Sequence, residues 1–412
     1  MGILKKIACV MMLLVIFTGC GAVQNGGALP EDAVAIDLSD NGVKVNGKKA
    51  GDDPKAPVYV ANDIISHEDG KDHTVVHITK PGTYGISGKL SLGQIAVDLG
   101  ENAKDDPDAV VTLILNDADI TCQVAPAVIF YNVYECGDDD TEKASENVDT
   151  AAAGANVIIA DGTTNTINGS YVEVENHEYD GAFYSIMSMN VNGGEENTGV
   201  LNIKAPNEGL DSELHLTVNG GKINIESGND GINTNADELS VTTINGGDLN
   251  IKVTGETGEG DGIDSNGWLV INGGKVIAAA CSDSADAGID SDMGIHINGG
   301  TVIASGHMLD RIEAGGQNYA VFNLNQKQSG PEAVYITNEA NENIAEFSLE
   351  NDYSVVIYSS SEIKDETYTL WGEDQKSKGQ SGNALAQPGM PGMQPGGMTS
   401  PEGREGMAPP EF

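Results

Sequence analysis

The sequence predicts an all-β solenoid, a parallel β-helix, and three observations carry that prediction. Val191-Asn192-Gly193-Gly194 returns as Val218-Asn219-Gly220-Gly221, Ile244-Asn245-Gly246-Gly247, Ile271-Asn272-Gly273-Gly274 and Ile297-Asn298-Gly299-Gly300, the asparagines stepping by 27, 26, 27 and 26 residues. A fixed period of that size marks repeats that each bury an apolar side against the next. Apolar residues also alternate around each turn, as in Leu214, Leu216, Val218 before it and Ile223, Ile225 after it. That is the period of a strand with one buried face. A third segment recurs between the turns: Gly209-Leu210-Asp211-Ser212, Gly231-Ile232-Asn233-Thr234, Gly262-Ile263-Asp264-Ser265 and Gly288-Ile289-Asp290-Ser291. Three short strands per repeat make one coil, with equivalent residues of successive coils about 4.8 Å apart.

The chain begins with Lys5 and Lys6, an apolar run from Ile7 to Phe17, and Thr18-Gly19-Cys20. A basic start, a short apolar stretch and a small-residue cleavage site predict a signal peptide over residues 1–19. Cys20 stands where a bacterial lipobox carries its acylated cysteine, which predicts lipidation there and a cell-membrane location facing outside, with simple secretion as the alternative. Residues 20–31 read as a linker. From 32 to 186 strand-like runs are frequent but irregular, as in Val34 to Leu38, Thr74 to Ile78, Val110 to Leu115 and Val128 to Val133. Thr83 to Gly88, Leu115 to Thr121 and Asp161 to Ile167 look like earlier coils of the same stack, since terminal coils that cap an edge are atypical. Regular repeats fill 187–310. Residues 311–374 lose the period and predict a C-terminal antiparallel β cap. Residues 375–412, rich in Gly, Pro and Met, lack the apolar area to offset the entropy of ordering and predict a disordered tail.

With 63 acids against 21 lysines and arginines the formal charge is -42, which excludes nucleic acid as a partner and leaves the lipid anchor as the only membrane contact. Within Gly-Ile-Asp-Ser-Asn the isoleucine points in, so two columns point out. One reads Asp211, Asn233, Asp264, Asp290 and the other Glu213, Asn235, Asn266, Asp292, with Asp230, Asp261, Asp283 and Asp286 just upstream. Carboxylates about 5 Å apart repel by about 1 to 3 kcal/mol at effective dielectrics of 80 to 20. Calcium, a hard cation with several oxygen ligands, is the expected counter-charge, and the alternative is a merely solvated face. The acidic stretch from Glu135 to Asp149 reads as a surface loop. Cys122 and Cys136 are the one disulfide pairing considered.

The ordered set Gly-Thr-Tyr-x-x-Ser-Gly, Leu-Asn-x-x-x-Ile-Thr, repeated Ile-Asn-Gly-Gly and Asp-Gly-Ile-x-Ser, with a Met-Gly-Pro tail, resembles secreted bacterial carbohydrate-binding proteins built as pectate-lyase-like β-helices, over residues 70 to 372. The resemblance implies a calcium-containing, polygalacturonate-binding surface protein, with Asp230, Asp261, Asp264, Asp286 and Asp290 at the ladder positions. Glu208 departs from it, replacing the leading Asp before Gly209-Leu210-Asp211. Right-handed coiling follows from the resemblance and from the rule for parallel crossovers.

Three functions are open to such a chain. A non-catalytic binder of acidic polysaccharide would use calcium at Asp230, Asp261, Asp264, Asp286, Asp290 and Asp292, with Trp268 and Lys275 touching the sugar. A polysaccharide lyase acting on uronates would also need a base beside the calcium, and Arg311, Lys222, Lys252 and Lys275 are the residues available. A structural adhesin or wall scaffold needs neither. In the register of the repeats, His215, Val270 and His296 point outward.

Overall fold

The computed structural model describes residues 29–381, except 138–139 and 175–176. The predicted signal peptide, Cys20, most of the linker and the tail from 382 onward lie outside the described residues. The described chain is all-β, with only two short 3-10 turns beside the strands. No helix among the described residues is long and apolar enough to cross a membrane.

Each repeat crosses three ladders in turn. Met189–Gly193 pairs in parallel with Leu216–Val218, which pairs with Val241–Ile244, then Trp268–Ile271, then Gly294–Ile297. After the Asn-Gly-Gly turn, Val200–Lys204, Lys222–Ser227, Asp248–Val253, Lys275–Ala279 and Thr301–Gly306 form the second ladder, also parallel. Gly181–Ser185, Glu208–Ser212 and Ile232–Thr234 form the third, which a parallel bridge extends from Ile232 to Ile263. Equivalent residues therefore lie side by side: Phe183, Leu210, Ile232, Ile263 and Ile289 are fully buried. Side chains one strand apart at about 4.8 Å pack their apolar faces directly.

The turns explain their own sequence. In four of them the second glycine takes a positive φ, 93° at Gly221, 97° at Gly247, 78° at Gly274 and 83° at Gly300, a region side-chain-bearing residues rarely adopt. The asparagines stack into a ladder of amides: Asn219 donates to Asn192 at 3.0 Å, Asn245 to Asn219 at 2.9 Å, Asn272 to Asn245 at 2.9 Å and Asn298 to Asn272 at 2.8 Å. An amide is donor and acceptor at once, so identical residues satisfy one another along the stack.

The segments read as earlier coils join the same ladders. Gly82–Leu90 pairs in parallel with Val111–Thr121, which pairs with Ala155–Ile159 and Thr164–Asn168. At the other end Tyr353–Ser359 runs antiparallel to Thr301–Gly306, and four antiparallel strands (Asn343–Leu349, Glu332–Thr337, Thr369–Gly372 and Ser377–Gln380) cover a second core of Phe322, Ile336, Tyr353, Tyr368 and Leu370. Ser377–Gln380 shows the cap continuing past 374, because its strand pairs with Thr369–Gly372. Cys122 and Cys136 are free thiols. Cys122 is in the core, while the Cys136 thiol faces the Asp149 carbonyl, which corrects the pairing considered from the sequence.

Ile263→Ala, in a fully buried column with apolar neighbours on both sides, is expected to destabilise the fold by about 2 to 5 kcal/mol, and a lowered midpoint in urea unfolding checks it.

Candidate functional site

The third ladder carries the acids. Its backbone continues through Ile232 N–H to Gly262 O, Ile263 N–H to Gly288 O and Asp290 N–H to Ile263 O, so Asp211, Asn233, Asp264 and Asp290 form one column beside Tyr184. Glu213, Asn235, Asn266 and Asp292 form the second, their amides bonded to Ser185, Ser212, Thr234 and Ser265 carbonyls. Between these columns the inward Ser212, Thr234, Ser265 and Ser291 are buried. Thr234 and Ser265 share a hydroxyl bond of 2.8 Å, and Ser265 and Ser291 donate to the Trp268 and Gly267 carbonyls at 3.0 and 2.8 Å. The serine of the motif thus ties the corner that aims the acids.

Asp230 and Asp261 lead the next two repeats. One oxygen of Asp230 accepts the Asp261 N–H at 2.6 Å, and one of Asp261 accepts the Ala287 N–H at 2.5 Å. Ala287, not Asp286, follows them in this column, since Gly262 N–H bonds to Ala287 O as Gly231 N–H bonds to Asp261 O. Asp286 instead accepts from Gly260 N–H at 2.5 Å and from the Ser284 hydroxyl. Asp310, which no repeat announces, closes the column beside Asp290 and accepts the Ser291 N–H at 3.1 Å.

Carboxylates crowd here, and their ionisation shows it. Burial first, then the charges of Asp264, Asp230 and Asp290, raises the Asp261 carboxyl well above its ordinary range. Asp264 is raised in the same way by burial, then by Asp230, Asp292 and Asp310. Asp290 is pushed up to about 8 by burial and by Asp310, Asp264 and Asp292, and Asp292 is raised by burial and by Asp237. One oxygen of Asp290 is buried with no hydrogen-bond partner. Among the described residues no group of three or more His, Cys, Asp and Glu side chains is spaced to hold a metal ion by itself. A hard cation in this grid would therefore complete its shell with asparagine, backbone or ligand oxygens, donors that suit calcium's six to eight places.

Several outward assignments are corrected. Asp211 and Asn233 are buried, as is Val270. His215 is 2% exposed, its Nδ1 accepting the Val241 N–H at 3.1 Å, and burial lowers it to about 4. His296 is half-buried. For His215 the cause is a cover that the repeat does not encode, with Gly137 of the acidic loop against its imidazole. The acidic loop folds over the first ladder, where Glu135 accepts the Ser188 N–H and hydroxyl at 2.6 and 2.7 Å and the Thr150 hydroxyl meets Asn190 and Thr217 at 2.7 Å each. The hairpin Val172–Val174 to His177–Tyr179 covers Tyr184, whose hydroxyl bonds to Glu213 and lies 3.0 Å from His177 Nε2.

Trp268 opens its strand half-buried, two residues after Asn266 of the second acid column. Lys275 is exposed but lies a strand and a turn further on, so the two are not brought together. Arg311 sits near Asp310 with its guanidinium held by Glu313 at 2.7 Å and by the Met293 carbonyl. Lys222, Lys252 and Lys275 belong to the second ladder, away from the acids.

Residues 72–357 match the model of a family described as carbohydrate-binding domain-containing protein. The solved structure of the polysaccharide lyase-like protein from C. thermocellum, a gadolinium derivative, is similar at 22% identity and a TM-score of 0.44, covering 66% of this chain and 90% of its own. No curated protein matches the chain.

Because Asp261, Asp264 and Asp290 hold protons more tightly folded than unfolded, their contribution to stability is complete below the unfolded value of about 3.9 and is lost as pH rises through the folded values. Without divalent cations the protein is therefore expected to melt at lower temperature at pH 8 than at pH 5, and Asp264→Asn should raise the pH 8 value; thermal scans in chelator check both.

Proposed function

The chain belongs to the family of carbohydrate-binding domain-containing proteins, and from that premise we propose that it is a non-catalytic, calcium-dependent binder of acidic polysaccharide of the polygalacturonate class. The observation that carries this is the acid grid of Asp230, Asp261, Asp264, Asp290 and Asp292, in which burial and then neighbouring carboxylates raise Asp261, Asp264, Asp290 and Asp292. At -42 the chain repels a polyuronate. Cations held on the grid would reverse that locally, and a uronate carboxylate would supply oxygens that the protein's own side chains do not. Trp268 stands beside the second column, where a ring can stack on a sugar face, whereas Lys275 is better placed as a solubilising charge. Asp286 would act by holding the loop at Gly260 rather than as a ligand.

We read the three ladders as the sides of a right-handed parallel β-helix of the pectate-lyase-like kind. Their equal registers over successive repeats support this, as does the general hand of parallel crossovers. The basic, apolar and cysteine-bearing N-terminus supports a lipid anchor at Cys20 on the outer side of the cell membrane. A lyase would need a base free to take a proton. Arg311, the cation nearest the acids, is committed to Glu313 and the Met293 carbonyl, which favours binding over elimination.

Polygalacturonate pull-down with calcium and with chelator, recording ultraviolet absorbance of unsaturated product, tests this. Retention only with calcium and flat absorbance is expected, and Asp264→Ala plus Asp290→Ala should weaken it at least about tenfold, ~1.4 kcal/mol. Retention in chelator would contradict the calcium bridge, rising absorbance would make the protein a lyase, and no retention at all would favour a structural scaffold.

A further inference from the structure

Upstream of the grid, the third ladder buries oxygens that the proposed glycan site does not use. Glu208 is 2% exposed, Asp211 fully buried and Asn233 8% exposed. Each leaves one oxygen buried without a hydrogen-bond partner: Glu208 Oε2, Asp211 Oδ2 and Asn233 Oδ1. The remaining polar atoms are accounted for. Asn233 Nδ2 donates to Glu208 Oε1 at 3.1 Å and to Asn235 Oδ1 at 2.7 Å, and Asn235 Nδ2 donates to Asp211 Oδ1 at 3.2 Å. The amide donors of Asn233 and Asn235 are thereby spent, and the Glu208 and Asp211 carboxyls face one another within hydrogen-bonding reach.

Position and space agree with this. Asp211 and Asn233 are register partners on adjacent strands, and Glu208 heads the same strand as Asp211. On the preceding strand the partner of Glu208 is Gly181, and a Cβ there would come within 2.5 Å of the Asp211 Cβ. At that position the strand therefore sends no side chain over Glu208, while its Tyr184 lies beside Asp211. Burial, then the charges of Asp211, Asp180 and Asp230, acts on Glu208, and no lysine, arginine or histidine of the described residues figures among the groups acting on Glu208 or Asp211. A carboxylate buried without a counter-charge is costly, and a paired or metal-bound one is the usual resolution.

We propose that Glu208 Oε2, Asp211 Oδ2 and Asn233 Oδ1 are ligands of an enclosed site for a hard divalent cation of calcium's class, separate from the glycan-bridging grid. Two carboxylates and an amide oxygen are such an ion's donor set. Because the ligands are buried, the ion would brace Glu208–Ser212 against Ile232–Thr234 and would not touch polysaccharide. The proposal does not depend on the glycan reading.

Terbium(III) is the probe, since an aromatic side chain close by sensitises its emission, and Tyr184 is the register partner of Asp211. The full chain carrying Asp264→Ala and Asp290→Ala, which removes two of the five grid acids, is stripped with chelator and titrated with terbium under tyrosine excitation. Saturable emission is expected, displaced by calcium, lost on adding Glu208→Gln with Asp211→Asn, and lost on adding Tyr184→Phe. In the grid-depleted chain calcium should still raise the melting temperature, an increase that Tyr184→Phe retains and the Glu208/Asp211 pair abolishes. Absence of sensitised emission in the grid-depleted chain, or emission and a calcium shift indifferent to Glu208 and Asp211, would overturn the site. Pull-down on polygalacturonate by Glu208→Gln with Asp211→Asn, expected to be unchanged, separates failure of this site from failure of the glycan reading.

Discussion

In-register parallel stacking forces like side chains to sit one strand apart, and every notable feature of this molecule is a response to that constraint. For the isoleucines of the third ladder the response is apolar contact. For the asparagines of the turns it is mutual hydrogen bonding, each amide giving to the one before and taking from the one after. A carboxylate cannot do the same. When ionised it only accepts, so the column of Asp211, Asn233, Asp264 and Asp290 cannot satisfy itself along its own length. Asparagine at 233, 235 and 266 relieves part of the strain by donating to neighbouring acids, and backbone amides relieve part at Asp230 and Asp261. The rest appears as raised carboxyls and unpartnered oxygens.

What the sequence made legible follows from the same rule. Periodic positions announce their own neighbours, so the Asn-Gly-Gly turns, the inward isoleucines and the membership of both acid columns could be read from spacing alone, and so could the earlier segments around 83 to 88 and 161 to 167. Features set by non-repeating chain could not. The burial of His215 and Asn190 depends on the loop before Thr150, and that of Tyr184 on the hairpin at 172 to 179, neither of which has a counterpart in other repeats. Asp310 lies beyond the last period. Asp286 looked like a ladder acid because it precedes Ala-Gly-Ile-Asp, yet the backbone puts Ala287 in that place. Alternation tells which side of a strand a residue occupies, but not what lies on top of it.

A surface so acidic would be a poor host for a polyuronate and, left to itself, a poorly stabilised one at neutral pH. Both difficulties have the same remedy. Cations on the grid would relieve the carboxylates and offer coordination places to an anionic ligand, tying folding stability to ligand capture through one set of residues. The half-buried Asp264 and Asp290 and the exposed Asp292 suit that exchange with solvent, while the enclosed oxygens at Glu208 and Asp211 suit an ion that stays.

The most direct measurement is the anomalous scattering of a crystal grown from calcium-loaded protein. The account predicts calcium peaks within coordination distance of the Asp264 and Asp290 carboxylates. A well-ordered acid column with no such peak, its carboxyls paired to one another, would contradict it.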